Sequence, residues 1–507
     1  MDTKALRQKI LDLAIRGKLV PQDPNDEPAS VLLERIHAEK QQMVKDGKLK
    51  PKDIKNDTVI FKGDDNLHYE KFADGSVKLC DFKADYEIPN NWVWCNLGLL
   101  FNHNTGKALN SANSEGKTLT YITTSNVYWD RFELNDLKSM PFTESEIEKC
   151  TVKKGDLLVC EGGDIGRAAI WNFDNEIRIQ NHLHRLRAYD DIQATFYYYV
   201  LYILKLSGKI NGKGIGLQGL SSNALHNIIV PVPPVDEQKN IVISIEKFMS
   251  SIDNIENHKN ILTTCIDATK AKILDLAIRG KLVPQDPNDE PASALLERIR
   301  TEKEKLIKQG KIKRNKKESV IFKGSDNSYY QDLPENWEIC SIMAIAEVDL
   351  GKTLDKNKNT GEFYPYLRSV NIKWNEIDLS DIKEMQFEKN ELQRYSIIKG
   401  DLLICEGGDV GRCCIWSSDE TIYYQNALHR VRFHGGCEPK YFLYFMMYLE
   451  HTGYLKRISN GVTIKHLTKT VLTTIPFTLP PLAEQKRIVD EIEKIFAILD
   501  NIANQVA

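Results

Sequence analysis

The chain carries one 22-residue segment twice. KILDLAIRGKLVPQDPNDEPAS occupies positions 9–30 and returns without a change at positions 272–293. A repeat at a fixed offset constrains the architecture before any single residue does, because each copy has to fold in the same way. The sequence therefore predicts a molecule of two similar halves.

Further repeated segments place one globular domain in each half. Segments 88–94, 153–171 and 179–187 return at an offset of 245, while the sequences between them differ. Each domain should therefore have a shared frame and its own loops. A chain of 507 residues is also too long for a single core. The predicted parts are a helical N-terminal region at 1–57, globular domains at 58–235 and 319–481, a central helical region at 236–318 and a C-terminal helix at 482–507.

The frame segments contain short apolar runs that predict strands. DLLVC and DLLIC are each entered through Lys-Gly-Asp and left through Glu-Gly-Gly-Asp. Runs of this length between glycine turns favour strand over helix. Longer apolar runs at 196–206 and 441–451 predict buried helices instead. The predicted fold class is α+β.

A long helix is predicted after each domain, opening at Asp236 and at Ala483. Between Asp236 and Leu276, apolar residues recur at alternating spacings of four and three residues. This spacing indicates a heptad seam. The C-terminal segment followed by the N-terminal segment matches this central helix, so the halves are circularly related. We therefore predict two long antiparallel helices forming a coiled-coil rod, one of them split between the chain ends, with a pseudo-twofold circular repeat. The central helix would be ~65 Å long at about 1.5 Å per residue.

The identical segment continues past the end of each long helix. Gly17 and Gly280 suit a helix C-cap, and Pro21 and Pro284 prevent the helix from continuing. A second, shorter helix is predicted from Pro28 and from Pro291. The identity of the two loops fits a docking surface used twice by identical partners, and it also fits a recent duplication. The sequence leaves both interpretations open.

Bulk properties exclude several classes of protein. The chain has no run of 18 apolar residues and no apolar core of a signal peptide at its N-terminus, so a cytoplasmic location is expected. The ten cysteines show no C-x-x-C pair and are expected to be buried and reduced. A net charge of −3 excludes a uniformly basic surface but allows local basic faces. The basic stretch 303–317 is interpreted as a solvated helix end or linker.

No catalytic, metal or cofactor site is predicted in this chain. The closest approach to a phosphate-binding loop, AEVDLGKT at 346–353, lacks the first glycine, and the other half has Gly106-Lys107-Ala108 in that place. The turns EGGDIGR at 161–167 and EGGDVGR at 406–412 contain no dinucleotide-binding pattern, although their arginines could hold a phosphate. Asp164 and Asp409 beside two glycines favour turn capping over acid catalysis.

Polar loops on the repeated frame point to DNA. ITTSNV at 122–127 aligns with LRSVNI at 367–372. Arginine suits guanine edges, and asparagine or glutamine suits adenine. Each loop alone fits a hydrogen-bonded turn, but two divergent polar loops on one duplicated frame favour recognition of two different DNA half-sites. The predicted DNA-binding residues are Thr123, Thr124, Asn126, Arg167, Gln180 and Asn181 in the first half, and Arg368, Ser369, Asn371, Arg412, Gln425 and Asn426 in the second.

Taken together, these features resemble a known family. The domain exits PPV-x-EQ at 233–238 and PPL-x-EQ at 480–485, the long helices, the two domains and the circular repeat are similar to the specificity (S) subunits of type I restriction–modification systems, the HsdS family. The resemblance covers nearly the whole chain. It implies two target recognition domains, each reading one half of an asymmetric bipartite target in double-stranded DNA, with the helices setting the spacer and docking two modification subunits.

The same resemblance implies that the chain is not catalytic by itself. The modification subunits would carry S-adenosylmethionine and methylate adenine at N6, and two restriction subunits would add ATP- and Mg-dependent cleavage. Two other hypotheses remain: a coiled-coil scaffold with two protein-binding domains and no role on DNA, and an enzyme with an unrecognised site. The divergent polar loops favour the specificity subunit over the scaffold.

Overall fold

The computed structural model describes residues 2–80, 82–109, 115–210, 219–312, 333–355, 359–459 and 466–506. The chain divides into two compact units, Met1–His258 and Lys259–Ala507. The predicted domain start at 319 and the part of the basic stretch beyond residue 312 lie outside the described residues.

Both predicted types of secondary structure occur in the first unit. Its helices are α1 (Thr3–Ile15), α2 (Ala29–Lys45), α3 (Pro51–Ile54), α4 (Leu97–Leu100), α5 (Glu144–Cys150), α6 (Ala194–Leu206), α7 (Ser222–His226) and the first part of α8 (Val235–Ile278). Its strands are β1 (Thr58–Lys62), β2 (His68–Phe72), β3 (Val77–Leu79), β4 (Val93–Asn96), β5 (Phe101–Thr105), β6 (Lys117–Ile122), β7 (Val127–Tyr128), β8 (Arg131–Phe132), β9 (Lys138–Phe142), β10 (Thr151–Val152), β11 (Leu157–Cys160), β12 (Ala168–Ile170), β13 (Ile177–Ile179), β14 (Leu183–Ala188) and β15 (Ile229–Val232).

The strands of the first unit form three larger sheets and one two-stranded ribbon. The sheets have the strand orders β15-β4-β1-β2-β3, β10-β13-β6-β9 and β12-β11-β14-β5, and β7 pairs with β8. Only the pairing of β13 with β6 is parallel among those described. The apolar run that predicted a strand is β11, which is buried along its whole length between β12 and β14.

The second unit repeats this frame. Its helices are the rest of α8, α9 (Ala292–Lys308), α10 (Ile342–Ile345), α11 (Pro439–His451), α12 (Tyr454–Ile458), α13 (Lys469–Thr474) and α14 (Leu482–Val506). Its strands are β16 (Glu338–Ser341), β17 (Ala346–Leu350), β18 (Glu362–Leu367), β19 (Ile372–Lys373), β20 (Glu376–Ile377), β21 (Lys383–Phe387), β22 (Ser396–Ile397), β23 (Leu402–Cys405), β24 (Cys413–Ile415), β25 (Ile422–Tyr424), β26 (Leu428–Phe433) and β27 (Pro476–Leu479).

The two four-stranded sheets of the second unit have the same connections as those of the first, and the pair β16-β27 matches β4-β15 of the five-stranded sheet. Their orders are β17-β26-β23-β24 and β21-β18-β25-β22, with the pairs β16-β27 and β19-β20. As in the first unit, the central pairing of β18 with β25 is parallel. The predicted α+β class and the duplication of one frame are confirmed.

An ion pair with a buried aspartate explains why two frame motifs recur together. Asp156 precedes β11, and Arg187 near the end of β14 donates to it from Nε at 2.8 Å and from Nη2 at 2.7 Å. Asp401 and Arg432 repeat the pair at 2.8 and 2.6 Å. Two parallel charge-assisted hydrogen bonds fix both distance and orientation. The motifs Lys-Gly-Asp and His-Arg-x-Arg are therefore two sides of one contact.

The repeated domain exit fastens each long helix to its domain. Glu237, in the first turn of α8, accepts a hydrogen bond from the Trp92 indole at 2.9 Å and another from the Gln22 amide. Glu484 at the start of α14 accepts from Trp337 at 2.9 Å and from Gln285 at 2.5 Å. Burial raises the pKa of both glutamates. The Glu-Gln dipeptide after the prolines is thus a structural connection between helix, domain and repeated loop.

Glycine at the repeated helix end is required for packing. Gly17 and Gly280 have φ of 65°, which favours glycine. A Cβ at Gly17 would lie 2.5 Å from the Pro89 ring, and one at Gly280 would lie 2.5 Å from the Pro334 ring. The predicted C-caps are confirmed, and the short helices predicted after Pro28 and Pro291 are α2 and α9.

The long helices run antiparallel within each unit. In the first unit the Arg7 guanidinium on α1 contacts Asp253 of α8 at 2.5 Å, whereas Gln22, further along the chain, contacts Glu237 near the start of α8. In the second unit Lys270 of α8 contacts Asp500 of α14 at 2.5 Å. Further along, Asp289 pairs with Arg487 at 2.6 Å. The predicted antiparallel pairing is confirmed in each unit.

The predicted heptad seam on α8 is buried unevenly. Ile241, Ile245 and Ile252 belong to the core of the first unit. Between them Phe248 remains 45% exposed, and Ile255 beyond them remains 44% exposed. Leu274, Ala277 and Ile278, near the end of α8, belong to the core of the second unit.

The cysteines and the helices agree with most of the bulk predictions. All ten cysteines lie in the described ranges and none of them is in a disulfide; eight are buried, Cys80 is half-buried and Cys265 is exposed. The exposed position of Cys265 differs from the prediction, because its side of α8 is not covered by a domain core.

Among the described residues, no helix is both long and apolar enough to cross a lipid bilayer.

Candidate nucleic-acid interface

The predicted polar loops meet at one edge of the parallel strand pair. In the first unit β6 ends at Ile122 and β13 ends at Ile179, and these two residues are register partners. The loops that follow the two strands therefore leave the sheet side by side. The backbone N–H of Gln180 donates to the Ile122 carbonyl at 3.0 Å and ties the loops together.

The second unit brings its own loops together in the same way. Leu367 at the end of β18 pairs with Tyr424 at the end of β25. The Gln425 N–H donates to the Leu367 carbonyl at 3.1 Å. The sequence-predicted residues of each half, which lie up to about 60 positions apart along the chain, thus come from adjoining segments of one surface.

A third segment joins this surface through the Gly-Lys dipeptides. The Lys107 N–H donates to the Ile179 carbonyl at 3.0 Å, and the Asn181 N–H donates to the Lys107 carbonyl at 3.0 Å. In the second unit Lys352 and Asn426 form the matching contact at 2.9 Å. A Cβ at Gly106 would lie 2.1 Å from a backbone oxygen, so only glycine allows this approach.

Asn126 and Asn371 shape the turns at which they were predicted to meet DNA. Each is the last residue of a short 3-10 turn, Thr124–Asn126 or Ser369–Asn371. The side-chain oxygen of Asn126 accepts from the Thr123 N–H at 2.9 Å, and its amide donates to the Glu133 carbonyl at 2.9 Å. Asn371 accepts from the Arg368 N–H at 2.9 Å and donates to the Asp378 carbonyl at 2.9 Å. Both side chains are therefore engaged inside the turn.

The arginines of the glycine turns donate hydrogen bonds to the same 3-10 turns. Arg167 Nη2 donates to the Thr124 carbonyl at 2.7 Å, and Arg412 Nη2 donates to the Ser369 carbonyl at 3.0 Å. The Arg167 guanidinium also lies 5.1 Å from the centre of the Tyr128 ring. The repeated EGGD-x-GR turn thus places its arginine against the loop whose sequence differs between the halves.

Arg368 is held by an acidic neighbour. Its Nη2 donates to the Asp381 carboxylate at 2.6 Å and to the Asp381 carbonyl at 2.8 Å. This hydrogen bond lowers the pKa of Asp381. The first unit has Thr123 in place of Arg368, and its hydroxyl contacts Ser125 at 2.7 Å instead. The two turns have the same backbone conformation, but one carries a hydroxyl group where the other carries a guanidinium group.

The paired amides are available to an outside ligand. Gln180, Asn181, Gln425 and Asn426 are all half-buried. Their backbone N–H groups make the contacts that join the loops. Within the described ranges, their side-chain amides have no hydrogen-bond partner in the chain.

Buried charges beneath the surface are compensated. Lys107 is 8% exposed, and its ammonium group contacts Glu146 at 2.7 Å and the Pro141 carbonyl at 2.7 Å. The hydrogen bond from Lys107 lowers the pKa of Glu146. Lys352 forms the corresponding pair with Glu391. These lysines position the loop, because their charges are already neutralised inside the domain.

Sequence reasoning missed three exposed apolar residues at this surface. Leu109 and Leu354 follow the Gly-Lys dipeptides and are 64% and 42% exposed. Val370, at the tip of the second turn, is 55% exposed. The available signal was the repetition of Gly-Lys-x-Leu in both halves, at 106–109 and 351–354.

Together these features define a class of protein: two copies of an α+β domain, each gathering loops of different polar sequence on an identical frame. The sequence matches the family described as the type I restriction modification DNA specificity domain twice, over residues 89–264 and 334–507. The chain belongs to this family.

Individual relatives and solved structures agree with this assignment. The chain is 27% identical to the specificity subunit of the type I restriction enzyme EcoEI from Escherichia coli, covering 99% of this chain and 90% of the relative. It is 28% identical to the EcoAI specificity subunit from the same species, covering 97% and 88%. Its fold is similar to that of the HsdS subunit from Thermoanaerobacter tengcongensis, with a TM-score of 0.50, 16% identity and coverage of 84% and 95%. A chain of another solved type I restriction–modification system gives a TM-score of 0.54 at 17% identity, with coverage of 83% and 94%.

Proposed function

We propose that this chain is the DNA sequence-specificity subunit of a type I restriction–modification complex, acting on DNA in the cytoplasm. Each domain would read one half of an asymmetric bipartite target. The observation that carries this proposal is the difference between the two loop tips, Thr123-Thr124-Ser125 and Arg368-Ser369-Val370, on matching backbones. Side chains that differ on one frame are suited to reading different base pairs.

The residues of this surface divide into two proposed roles. Thr123, Thr124, Gln180 and Asn181 in the first unit would contact DNA directly, as would Arg368, Ser369, Gln425 and Asn426 in the second. Asn126, Arg167, Asn371 and Arg412 would contribute by fixing the turns, because their hydrogen bonds are made to the turn backbone.

The chemistry would belong to partner subunits. Two modification subunits with S-adenosylmethionine would methylate adenine at N6 after flipping it out of the duplex, while this chain holds the flanking sequence. Two restriction subunits would add cleavage that uses ATP and Mg. The chain would have no catalytic activity by itself. The long helices would dock the modification subunits and set the spacer between half-sites.

A coiled-coil scaffold that binds only proteins is the second hypothesis. The family match and the similarity to specificity subunits over nearly the whole chain favour the DNA function over the scaffold. Linking two domains that each bind a half-site weakly also raises the affinity of the whole chain for DNA, because the second binding event becomes intramolecular.

Domain exchange tests the proposal. Residues 58–235 are replaced by the corresponding domain of another specificity subunit, and residues 319–481 are replaced in a separate, matched chimera. Each chimera is expressed with the modification partner, and methylated adenines are mapped across the host genome. We expect each exchange to change one half of the methylated motif only. Loss of both halves in one chimera would contradict the two-reader proposal, and a wild-type chain that directs no bipartite methylation would overturn the DNA function.

A further inference from the structure

Leu109 and Leu354 are bulky apolar side chains exposed at the same place in both units. They are 64% and 42% exposed. Each lies two residues beyond the Gly-Lys dipeptide that is hydrogen-bonded between the strand end and the Gln-Asn pair. Each leucine therefore lies two residues from a backbone position that is held by hydrogen bonds.

The neighbours of these leucines are the residues assigned to DNA. The Lys107 carbonyl accepts from the Asn181 N–H at 3.0 Å, and the Lys352 carbonyl accepts from the Asn426 N–H at 2.9 Å. Both lysines are also bridge partners of the adjacent glutamines, Gln180 and Gln425. An apolar side chain beside these polar groups cannot bind a phosphate, so any favourable contact with DNA has to be with bases or sugars.

The identity of the two residues argues against a role in the sequence code. Side chains that distinguish one half-site from the other have to differ, as Thr123 differs from Arg368, whereas the Gln-Asn pairs are the same in both units and would contact features common to both half-sites. Leucine is retained in both loops although their following residues differ, Asn110 in one and Asp355 in the other. A residue that is the same in two domains with different target sequences is expected to make the same kind of contact with both half-sites.

We propose that Leu109 and Leu354 are wedge residues, each of which inserts its side chain at a base step of its half-site and partly unstacks it. This inference rests on the proposed function. Leucine is among the apolar side chains that DNA-binding proteins insert between base pairs, and the resulting kink exposes the neighbouring base edges. Here it would open each half-site beside the Gln-Asn pair and so bring base edges within reach of those amides.

The test uses the full chain assembled with its modification partner on a duplex carrying the bipartite target. 2-Aminopurine is placed singly at each adenine of the two half-sites except the methylated ones, because flipping by the partner also raises its fluorescence. With the wild-type chain, we expect increased fluorescence next to one step in each half-site. L109A should abolish the increase in one half-site only, and L354A in the other half-site only.

Binding is measured on the same duplexes. Each alanine variant should bind about tenfold more weakly, because most of the apolar contact of one leucine is lost. L109M keeps an apolar side chain of similar size and should therefore retain both fluorescence and affinity. L79A is the matched control, since Leu79 is 61% exposed in the same unit but lies on β3 of another sheet. It should leave both measurements unchanged.

The outcomes separate this inference from the proposed function. Target-specific binding with the same fluorescence pattern in wild type, L109A and L354A would overturn the wedge role alone. Weaker binding by L79A as well as by L109A would show a general effect of exposed leucines and would also overturn it. Failure of the wild-type complex to prefer any bipartite duplex would overturn the proposed function, and the wedge with it.

Discussion

At the scale of single residues, polar side chains at the loop tips do two different things. The side-chain amides of Asn126 and Asn371 both accept from and donate to backbone groups of the turn. Arg167 and Arg412 donate hydrogen bonds to carbonyl oxygens of the same turns. These four are the same in both halves. Thr123 and Arg368 occupy one backbone position and differ, so the difference in recognition is expected to lie there.

Substitution R368A should relax one base position in the second half-site. A bidentate arginine–guanine contact discriminates by about 1–3 kcal/mol, and alanine cannot supply it. Mapping the methylated motif measures the change, which should be confined to one position. The control T123A alters the corresponding position in the other domain and should leave the second half-site intact. An unchanged motif with R368A would show that Arg368 only shapes the turn through Asp381.

The first domain should be more sensitive to acid than the second because of one histidine. His103 on β5 contacts His184 at 3.0 Å, and burial, followed by the charges of His184, His226 and Arg185, lowers the pKa of His103 to about 3. The second domain has Val348 at this position. Since the folded pKa lies below the unfolded one, the unfolded state binds more protons between the two values, and stability falls as the pH decreases through that window.

Substitution H103V, which installs the residue of the second domain, should remove this acid sensitivity. Thermal melting of the full chain is compared with wild type from pH 8 down to pH 4.5. The difference in melting temperature at pH 8 measures the change in packing alone. Below the usual histidine pKa, the variant should gain up to about 1.4 kcal/mol per pH unit relative to wild type. A difference that stays constant with pH would contradict the assignment to His103.

At the scale of elements, each long helix is fastened where it begins. Glu237 is 1% exposed and receives the Trp92 indole and the Gln22 amide, which come from the domain and from the repeated loop. Three segments of the first unit therefore meet at one carboxylate. Glu484 repeats the arrangement in the second unit. The glutamate that recurs in both domain exits therefore has a structural role at this junction.

Substitution E237A should loosen this junction more than E237Q. Alanine leaves the buried Trp92 N–H without an acceptor, which costs about 1–3 kcal/mol, whereas glutamine retains a carbonyl oxygen there. Urea denaturation measures the loss, and hydrogen exchange should increase in 1–30 and at the start of α8. E484A is the matched variant and should increase exchange in 272–293 and α14 instead. Equal losses of unfolding free energy for E237A and E237Q would show that the hydrogen bonds accepted by Glu237 do not contribute to stability.

At the scale of the whole molecule, the order of segments along the chain follows the predicted circular repeat. The first unit combines α1 with the beginning of α8, and the second combines the end of α8 with α14. Each unit thus contains one antiparallel helix pair assembled from segments distant in sequence. If the helices measure the gap between half-sites, their length should determine the DNA spacer.

Inserting seven residues after Asn257, with a matching insertion in α14, should lengthen the nonspecific spacer. Seven residues add about 10.5 Å of helix, close to three base pairs at about 3.4 Å each. Methylome mapping reads the spacer directly. The control is the same insertion after Gly75, an exposed hairpin turn in which a Cβ would meet nothing within 4 Å, and its spacer should stay unchanged. An unchanged spacer with the helix insertions would refute the measuring role of the helices.

The sequence by itself determined the duplication, the α+β class and the long helices. These follow from repeats and from the periodicity of apolar residues, which are local properties of the chain. The apolar run of β11 and the proline exit before α8 each carry enough information in about ten residues to predict their structure. The family resemblance rests on the same segments.

Only the tertiary structure decided which polar residues face outward. Arg167 meets the Thr124 carbonyl across 43 positions, and Asp156 meets Arg187 across 31, so neither partner is visible in a local pattern. The same is true of Phe248 and Ile255, which fit the heptad pattern but stay 45% and 44% exposed. Burial and hydrogen bonding are set by neighbours distant in sequence, whereas secondary structure is largely set by adjacent residues.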